Sequence, residues 1–436
     1  MKVLVIAPQP FFAERGTPIA VCSLLEALCA DGHEVDLLTY PFGDDVDVEG
    51  LTIHRSGRFP GVRHVGIGFS VGKLLTDAML VPMLWRMGTS GRYDIVHAVE
   101  ESIYLALVLR RRHRARVIYD MDSSLAQQLA DTNRLFRLLF PLLRRVEQWA
   151  IQSSDLVTPM CVDLARYARS VRAADDVVVL HDLPVEIAGD SKPPPSNGRS
   201  PTEPRPSCLA LYVGNLGPYQ GIEMLLDATA LLPAHPAVQV QVVGGPMSEV
   251  QRLRSLAARR GVDDRIRFLG PRPLADLHDL LAGADILLSP RTKGVNTPLK
   301  VYSYMESGRA ILATRLRTHT QVLDDSTALL VEADAREFAR GLSRLAADGA
   351  LRRRLGGSAR QRVRREYSPG SFYRRVRAIY GRPAHGRPPG DGESWNGRSG
   401  ADRRCQADRR SDLDRRAVAR GGQDRRVAGR RALAYA

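Results

Sequence analysis

Ser289–Gly308 reads S-P-R-T-K-G-V-N-T-P-L-K-V-Y-S-Y-M-E-S-G and brings cations, polar caps and a helix start to one point. Thr297 suits an N-cap and Pro298 the first helical position, so the run to Met305 predicts a helix whose free N–H groups face the preceding loop. Such an end attracts anions. Arg291, Lys293 and Lys300 crowd the same turn, and the expected guest is a diphosphate held by backbone amides, a positive dipole end and side-chain charge together. An ordinary capped helix with solvated lysines is the alternative.

Working outward, apolar runs at Ile286–Ser289 and Ala310–Ala313 flank this loop and helix as strands. The alternation extends back through a Leu209–Val213 strand, a Gly221–Leu232 helix, a Val238–Val243 strand, a Val250–Arg260 helix, an Ile266–Leu269 strand and a Leu274–Ala282 helix. The first half repeats it. Strands are expected at Lys2–Ala7, Val35–Thr39, Ile95–Ala98, Val117–Asp120, Asp155–Thr158 and Val177–Leu180, with helices over Ile19–Ala30, Ile103–Arg110 and roughly Ser123–Gln152. Strands alternating with helices at this spacing predict α/β architecture, two doubly wound parallel sheets.

The 436 residues, 44% apolar and 25% charged, suit a globular protein of two domains plus a tail. The predicted division is a first domain over 1–188, a proline-rich linker over 189–207, a second domain over 208–367, a last amphipathic helix over 368–382, and an Arg-rich tail over 383–436 that composition marks as disordered. Of the net charge of +15, residues 381–436 supply +7 through 14 Arg against 7 acids. The remainder fits a handler of anionic nucleotides or an acidic membrane surface. No zinc spacing, nucleic-acid module or aromatic interleaving accompanies the basic runs, so no specific nucleic acid is expected. Cys22, Cys29, Cys161, Cys208 and Cys405 are scattered and odd in number, which favours a reducing compartment and argues against structural zinc. Residues 1–7 are too short an apolar run for a signal peptide or a span, and the cytoplasm is the expected compartment.

Three strings carry a resemblance to a known family: M-K-V-L-V-I-A-P-Q-P-F-F-A-E-R-G-T-P-I at 1–19, Y-V-G-N-L-G-P-Y-Q-G-I-E-M-L-L-D-A at 212–228 and P-L-K-V-Y-S-Y-M-E-S-G-R-A-I-L-A-T at 298–314. In that order they resemble the glycine loop, donor-domain opening and donor-binding helix of the retaining family 4 of GT-B glycosyltransferases, over residues 1 to about 380. The resemblance implies two Rossmann-like domains facing across a cleft, a nucleotide-sugar donor on the second and an acceptor on the first. It implies that Gly16 and Thr17 bring amides to the donor phosphates and that the diphosphate rests on the amides of Asn296, Thr297, Pro298 and Leu299 as far as these carry an N–H. No cofactor and no metal are implied, since fixed cations and helix dipoles would stabilise the departing nucleoside diphosphate.

The chain also departs from that pattern. Asn215 and Gln220 stand where the family usually has an Arg and a Lys, Val295 and Ser303 where it usually has two glutamates, and Asp122 where it usually has a histidine. In an active, divergent subgroup, Arg291, Lys293 and Lys300 would replace the missing cations, Ser303 would bond the ribose and Asp122 would support positive charge at the anomeric carbon. A catalytically inactive nucleotide-sugar binder and a nucleotide-sugar epimerase are the other readings. His97, Glu100 and Glu101, after a strand, are expected to face the acceptor, with a solvated loop in which His97 is partly buried as the alternative. His319 could approach the donor or be structural, and H-D-L-P at 181–184 reads as a turn into the linker. Arg134–Trp149 combines Leu and Phe with four Arg. It is expected either to pack against the sheet or to lie on an anionic membrane at the inner face of the cell membrane. The expected activity is retaining sugar transfer from a nucleoside-diphosphate sugar to a hydroxyl of a glycan or lipid-linked acceptor.

Overall fold

Apolar runs with no polar alternation, V-L-V-I-A at 3–7 and I-L-L at 286–288 among them, form strands covered on both faces, as parallel sheets demand. The computed structural model describes residues 1–382 apart from 15, 63–64, 66–69, 91–92, 114, 133, 186–207 and 236. The predicted linker 189–207 and tail 383–436 therefore lie outside the described residues.

The first domain runs β1 (Lys2–Ala7), α1 (Gly16–Ala30), β2 (Glu34–Thr39), β3 (Leu51–Arg55), α2 (Val71–Ser90), β4 (Ile95–Val99), α3 (Ser102–His113), β5 (Arg116–Met121), α4 (Leu125–Thr132), α5 (Arg134–Leu138), α6 (Phe140–Ser153), β6 (Leu156–Pro159) and α7 (Val162–Arg169). Its strand order is β3-β2-β1-β4-β5-β6, parallel throughout. The second runs β7 (Cys208–Val213), α8 (Ile222–Ala230), β8 (Val238–Val243), α9 (Met247–Arg259), β9 (Ile266–Gly270), α10 (Leu277–Gly283), β10 (Ile286–Ser289), α11 (Leu299–Ser307), β11 (Ala310–Thr314), α12 (Arg317–Thr320), β12 (Leu329–Val331), α13 (Ala335–Ala347), α14 (Gly349–Glu366) and α15 (Pro369–Tyr380). Its order is β12-β11-β10-β7-β8-β9. In each sheet the order of strand addition thus reverses once, between β1 and β4 and between β7 and β10. Open α/β sheets receive ligands at that reversal, outside the carboxyl ends of the strands.

Three expectations change. Val177–Leu180 is not a sheet strand: Val177 makes a single bridge to Val157, and the Val178 and Leu180 N–H groups donate to the Val157 and Pro159 carbonyls beside β6 without extending the ladder. Pro298, not Thr297, occupies the N-cap of α11, in extended conformation, and no side chain caps that helix. The helix starts one residue later than predicted, since Pro298 keeps a ψ of 129°. Finally, α15 is no appendage. Phe372, Val376, Ile379 and Tyr380 join the core cluster that contains Val3, Val5, Leu24, Leu28 and Ile95 of the first domain. Arg377 pairs with Asp31 at the end of α1, and Arg116 Nη1 donates to the Arg382 carbonyl at 2.6 Å.

Two hydrogen bonds fix α11 in place. Tyr304, fully buried, accepts from the Val213 N–H at 2.9 Å where β7 ends, and Ser303 Oγ accepts from the Val185 N–H at 3.0 Å on the segment arriving from the first domain. Tyr304→Phe leaves a buried amide without its acceptor. The expected loss is about 1–3 kcal/mol of stability, read as a lower denaturant midpoint with an unchanged slope.

Candidate active site

Two loops leave the reversal point of the second sheet, residues 214–221 after β7 and 290–298 after β10. Glycine lets them touch. Gly221 has φ 75°, and a Cβ there would lie 1.9 Å from the Pro290 carbonyl oxygen, while Thr292 N–H donates to the Tyr219 carbonyl at 2.9 Å. Gly214, at φ 145°, makes room for Lys300, whose Nζ would be 3.1 Å from an added Cβ.

Arg291 is only 6% exposed. Its Nη1 donates to the Asn296 carbonyl at 2.9 Å and to Thr318 Oγ1 at 2.8 Å, and its guanidinium lies 5.2 Å from the Tyr219 ring centre. Thr318 Oγ1 donates to the same Asn296 carbonyl at 2.6 Å, and Gln321 Nε2 to the Val295 carbonyl at 2.7 Å. The loop is therefore braced from within, with Arg291 Nε buried and without a hydrogen-bond partner. Beneath it, His319 sits between Ser289 Oγ and the Thr314 carbonyl at 2.8 Å each. Burial chiefly pushes its imidazole down to about 3, so it is a neutral brace that stays under the loop. Lys293 is exposed next to Gly294, whereas Thr297 is buried.

Lys300, the second residue of α11, donates to Gln220 Oε1 at 3.2 Å and lies 3.8 Å from the Tyr212 ring centre. Burial, then the neighbouring Arg291, holds its ammonium well below the usual lysine range. Asn215 braces the first loop by accepting from Gly217 N–H at 3.2 Å and donating to the Tyr219 hydroxyl at 3.1 Å. The second domain thus gathers Asn215, Gln220, Arg291, Lys300 and the uncapped start of α11. It leaves Val295 exposed and commits Ser303 to Val185.

The first sheet presents acid at its own reversal point. Gly16 begins α1, and a Cβ there would meet nothing within 4 Å. Thr17 hydrogen-bonds Asp122, whose carboxyl is nonetheless held well above the carboxylate range by burial, then by Asp120, Glu100 and Asp182. Asp182 is pushed up to about 7 by burial and Asp120. Glu100 has φ 50°, a strained value for a non-glycine residue, and burial followed by Glu101 pushes it up to about 7. Glu101 pairs with Lys73 at 2.5 Å and, with Asp77, Tyr104 and Pro8, lines a cavity of about 180 Å³ between α2 and α3. Among the described residues no group of His, Cys, Asp or Glu side chains is arranged to hold a metal ion.

His97 does not face an acceptor. It lies within β4, fully buried on the same side as Ile95 and Val99, with Nδ1 2.9 Å from the Tyr380 hydroxyl of α15 and Nε2 3.1 Å from Asp120 Oδ2. The period of two along a strand decides this. Asp182, Lys73 and Asp77 escaped the sequence reading. A carboxylate in H-D-L-P was the available signal for Asp182, whereas Lys73 and Asp77 lie on a helix that no motif marks.

The glycosyl transferase 4-like domain family matches residues 15–182 and the family described as glycosyl transferases group 1 matches residues 207–348. This is a GT-B glycosyltransferase family chain. The phosphatidyl-myo-inositol mannosyltransferase of Mycobacterium leprae is 25% identical over 371 residues, 84% of this chain and 92% of that protein. A D-inositol 3-phosphate glycosyltransferase of Streptomyces bingchenggensis is 31% identical over 187 residues, 39% of this chain and 41% of that protein, so the chain spans less than half the length of this relative. Among solved structures, sucrose-phosphate synthase from Thermosynechococcus elongatus shares the fold with a TM-score of 0.71 at 21% identity, covering 87% of this chain and 98% of that one. Anabaena Alr3699/HepE in complex with UDP-glucose superposes with a TM-score of 0.66 at 15% identity, covering 87% and 99%.

Asp182 and Glu100 hold protons more tightly folded than unfolded. The native chain then binds extra protons between about pH 4 and about pH 7 and loses stability as pH rises through that window. Asp182→Asn is expected to flatten the fall by on the order of 1 kcal/mol or more, measured by denaturant unfolding at a series of pH values. Gly221→Ala, which forces its Cβ onto the Pro290 carbonyl, is expected to cost roughly 2 kcal/mol or more in the same measurement.

Proposed function

We propose that this chain is a metal-independent, retaining glycosyltransferase that moves a hexose from a nucleoside-diphosphate sugar to a hydroxyl of a glycan or lipid-linked acceptor at the inner face of the cell membrane. The single observation that carries the reading is the pairing of Lys300 with the uncapped start of α11 at the reversal point of the second sheet. The N–H groups of Leu299 and Lys300 and the Lys300 ammonium form an anion site with no competing carboxylate on that helix's first turn. The UDP-glucose complex of a protein with this fold supports a diphosphate donor, and the name of the mycobacterial relative supports a lipid headgroup as acceptor.

In the proposed reaction the bond from the anomeric carbon to the diphosphate oxygen breaks as the bond to the acceptor oxygen forms on the same face. The acceptor proton passes to the departing diphosphate. Negative charge grows on that leaving group, so the α11 amides, Lys300, Lys293 at the loop tip and the Arg291 Nε–H stabilise the transition state more than the bound donor. Thr17 and Gly16 approach from the other domain. Asp122, whose carboxyl burial holds well above the usual carboxylate range, donates a hydrogen bond to a donor-sugar hydroxyl. Arg291 holds the loop that does this work, and its loss removes the loop geometry along with one donor group.

Screening UDP-, GDP- and ADP-sugars for protection against thermal unfolding identifies the base, since a ligand at a hundred times its Kd adds about 2.7 kcal/mol. Lys300→Ala is expected to weaken that nucleotide roughly tenfold or more and to reduce donor hydrolysis in step. Calorimetry in buffers of different ionisation enthalpy is expected to show net proton uptake on nucleoside-diphosphate binding, because the ligand's negative charge restores the Lys300 ammonium that burial disfavours. Binding that is indifferent to Lys300→Ala would remove the proposed site. Tight binding with no turnover of any donor would favour the non-catalytic reading.

A further inference from the structure

Helices α2, α3 and α6 cover one face of the first sheet, their inner residues Leu80, Leu84, Ile103, Ala106, Ala150 and Ile151 joining a common core. Their outer surface is unusual. Of the seventeen large apolar side chains exposed among the described residues, ten lie on this layer and its α5 approach, the most exposed being Leu138 at 79% and Val108 at 72%. Leu138, Leu142, Val146 and Trp149 follow one another at helical spacing along the α5–α6 segment, and Leu74, Val81 and Trp85 do the same on α2. Monomeric proteins seldom leave so much contiguous apolar surface to water.

The charge on the layer has one sign. Arg137, Arg144 and Arg145 are exposed among the apolar residues of α5 and α6. The described carboxylates of α2, α3, α5 and α6 are turned inward: Asp77 bonds Tyr40, and Glu147, 1% exposed, accepts from Ser124 Oγ and the Ala126 N–H. A protein partner would be met by paired charges of both signs, whereas an apolar stripe edged only by arginine, with tryptophans at the ends of the two stripes, matches the headgroup boundary of an anionic bilayer. No described helix is long and apolar enough to cross a membrane.

We infer that the outer face of α2, α3, α5 and α6 seats the first domain on an anionic lipid surface, with Leu138, Leu142, Val146 and Trp149 in the interfacial layer and Arg137, Arg144 and Arg145 on lipid phosphates. This gives a physical place to the membrane-side acceptor of the proposed reaction, and it rests on its own surface rather than on catalysis. The cavity lined by Ala78, Val81, Leu105 and Glu101 places Val81 of that face beside Glu101, just beyond the carboxyl end of β4.

The test is co-sedimentation of the full chain with vesicles of phosphatidylcholine alone and with phosphatidylglycerol added, at low and high salt. Binding is expected only with the anionic lipid, falling severalfold as salt rises. Leu142→Glu with Trp149→Glu, and separately Arg144→Glu with Arg145→Glu, are each expected to reduce it at least tenfold while thermal midpoint and nucleotide protection stay as in the wild type. All four positions are exposed, so folding should survive. Equal binding of neutral and anionic vesicles overturns the proposal. So does wild-type binding by both variants, which would assign adhesion to the Arg-rich tail they retain. A dimer that Leu142→Glu dissociates, with no vesicle binding, would make the face an interface between copies. Because no donor or acceptor is present, failure here removes the membrane location but leaves the sugar-transfer reading standing, and failed donor turnover leaves this one standing.

Discussion

The loop that leads into α11 depends on one buried guanidinium. Arg291 ties the Asn296 carbonyl to Thr318 in the loop that leads into α11, a helix whose start no side chain caps. A buried charge without a carboxylate is expensive. Here the carbonyl, the hydroxyl and the Tyr219 face share it, and an arriving polyanion would complete its neutralisation. Lys300 is in the same position, disfavoured as a cation until an anion is present. Under the proposed function, both cations would be favoured by a diphosphate bound beside them.

Across from it, the first sheet offers carboxyls whose proton affinity burial raises. Asp122, Glu100 and Asp182 each raise the others' proton affinity or share Asp120 as a neighbour, so this edge carries less negative charge near neutral pH than its count of carboxyls implies. That suits a region shared with a phosphate-bearing ligand, which ionised carboxylates would repel. Interdomain hydrogen bonds hold the two edges in register: Asp163 N–H donates to Gln321 Oε1, the residue that also supports the Val295 carbonyl, and Leu274 N–H donates to Glu14 Oε2.

Much of this was legible in the order of residues, and what was not has identifiable reasons. The buried strands and the loop before α11 announce themselves by uninterrupted apolar runs and by glycine, proline and basic residues at close spacing. The edge strands β3 and β12 lack such runs, being short and only partly covered. Helix α14, with its seven arginines, hides its narrow buried stripe of Leu351, Leu355, Ala359 and Val363 in a polar composition. At the site, sequence placed Lys300 and Arg291 together but could not assign them different duties, because that division depends on which carbonyl comes within reach of the guanidinium. His97 was misplaced because one residue along a strand reverses the face. Asp182 gained its importance from a chain crossing that brings distant carboxyls together.

The return of α15 to the first sheet has a consequence for biosynthesis. Val3, Val5 and Ile95 share their core with Phe372, Val376 and Ile379, and the Tyr380 hydroxyl reaches His97 inside the sheet. The amino-terminal half therefore leaves the ribosome with the part of that core beside α1 that α15 covers still open, and keeps it so until almost the whole described chain has been synthesised. The second half, whose sheet and covering helices end by residue 366, can be complete first. A nascent chain with this topology closes in the reverse of its order of synthesis, and it exposes a sticky hydrocarbon surface to chaperones throughout elongation.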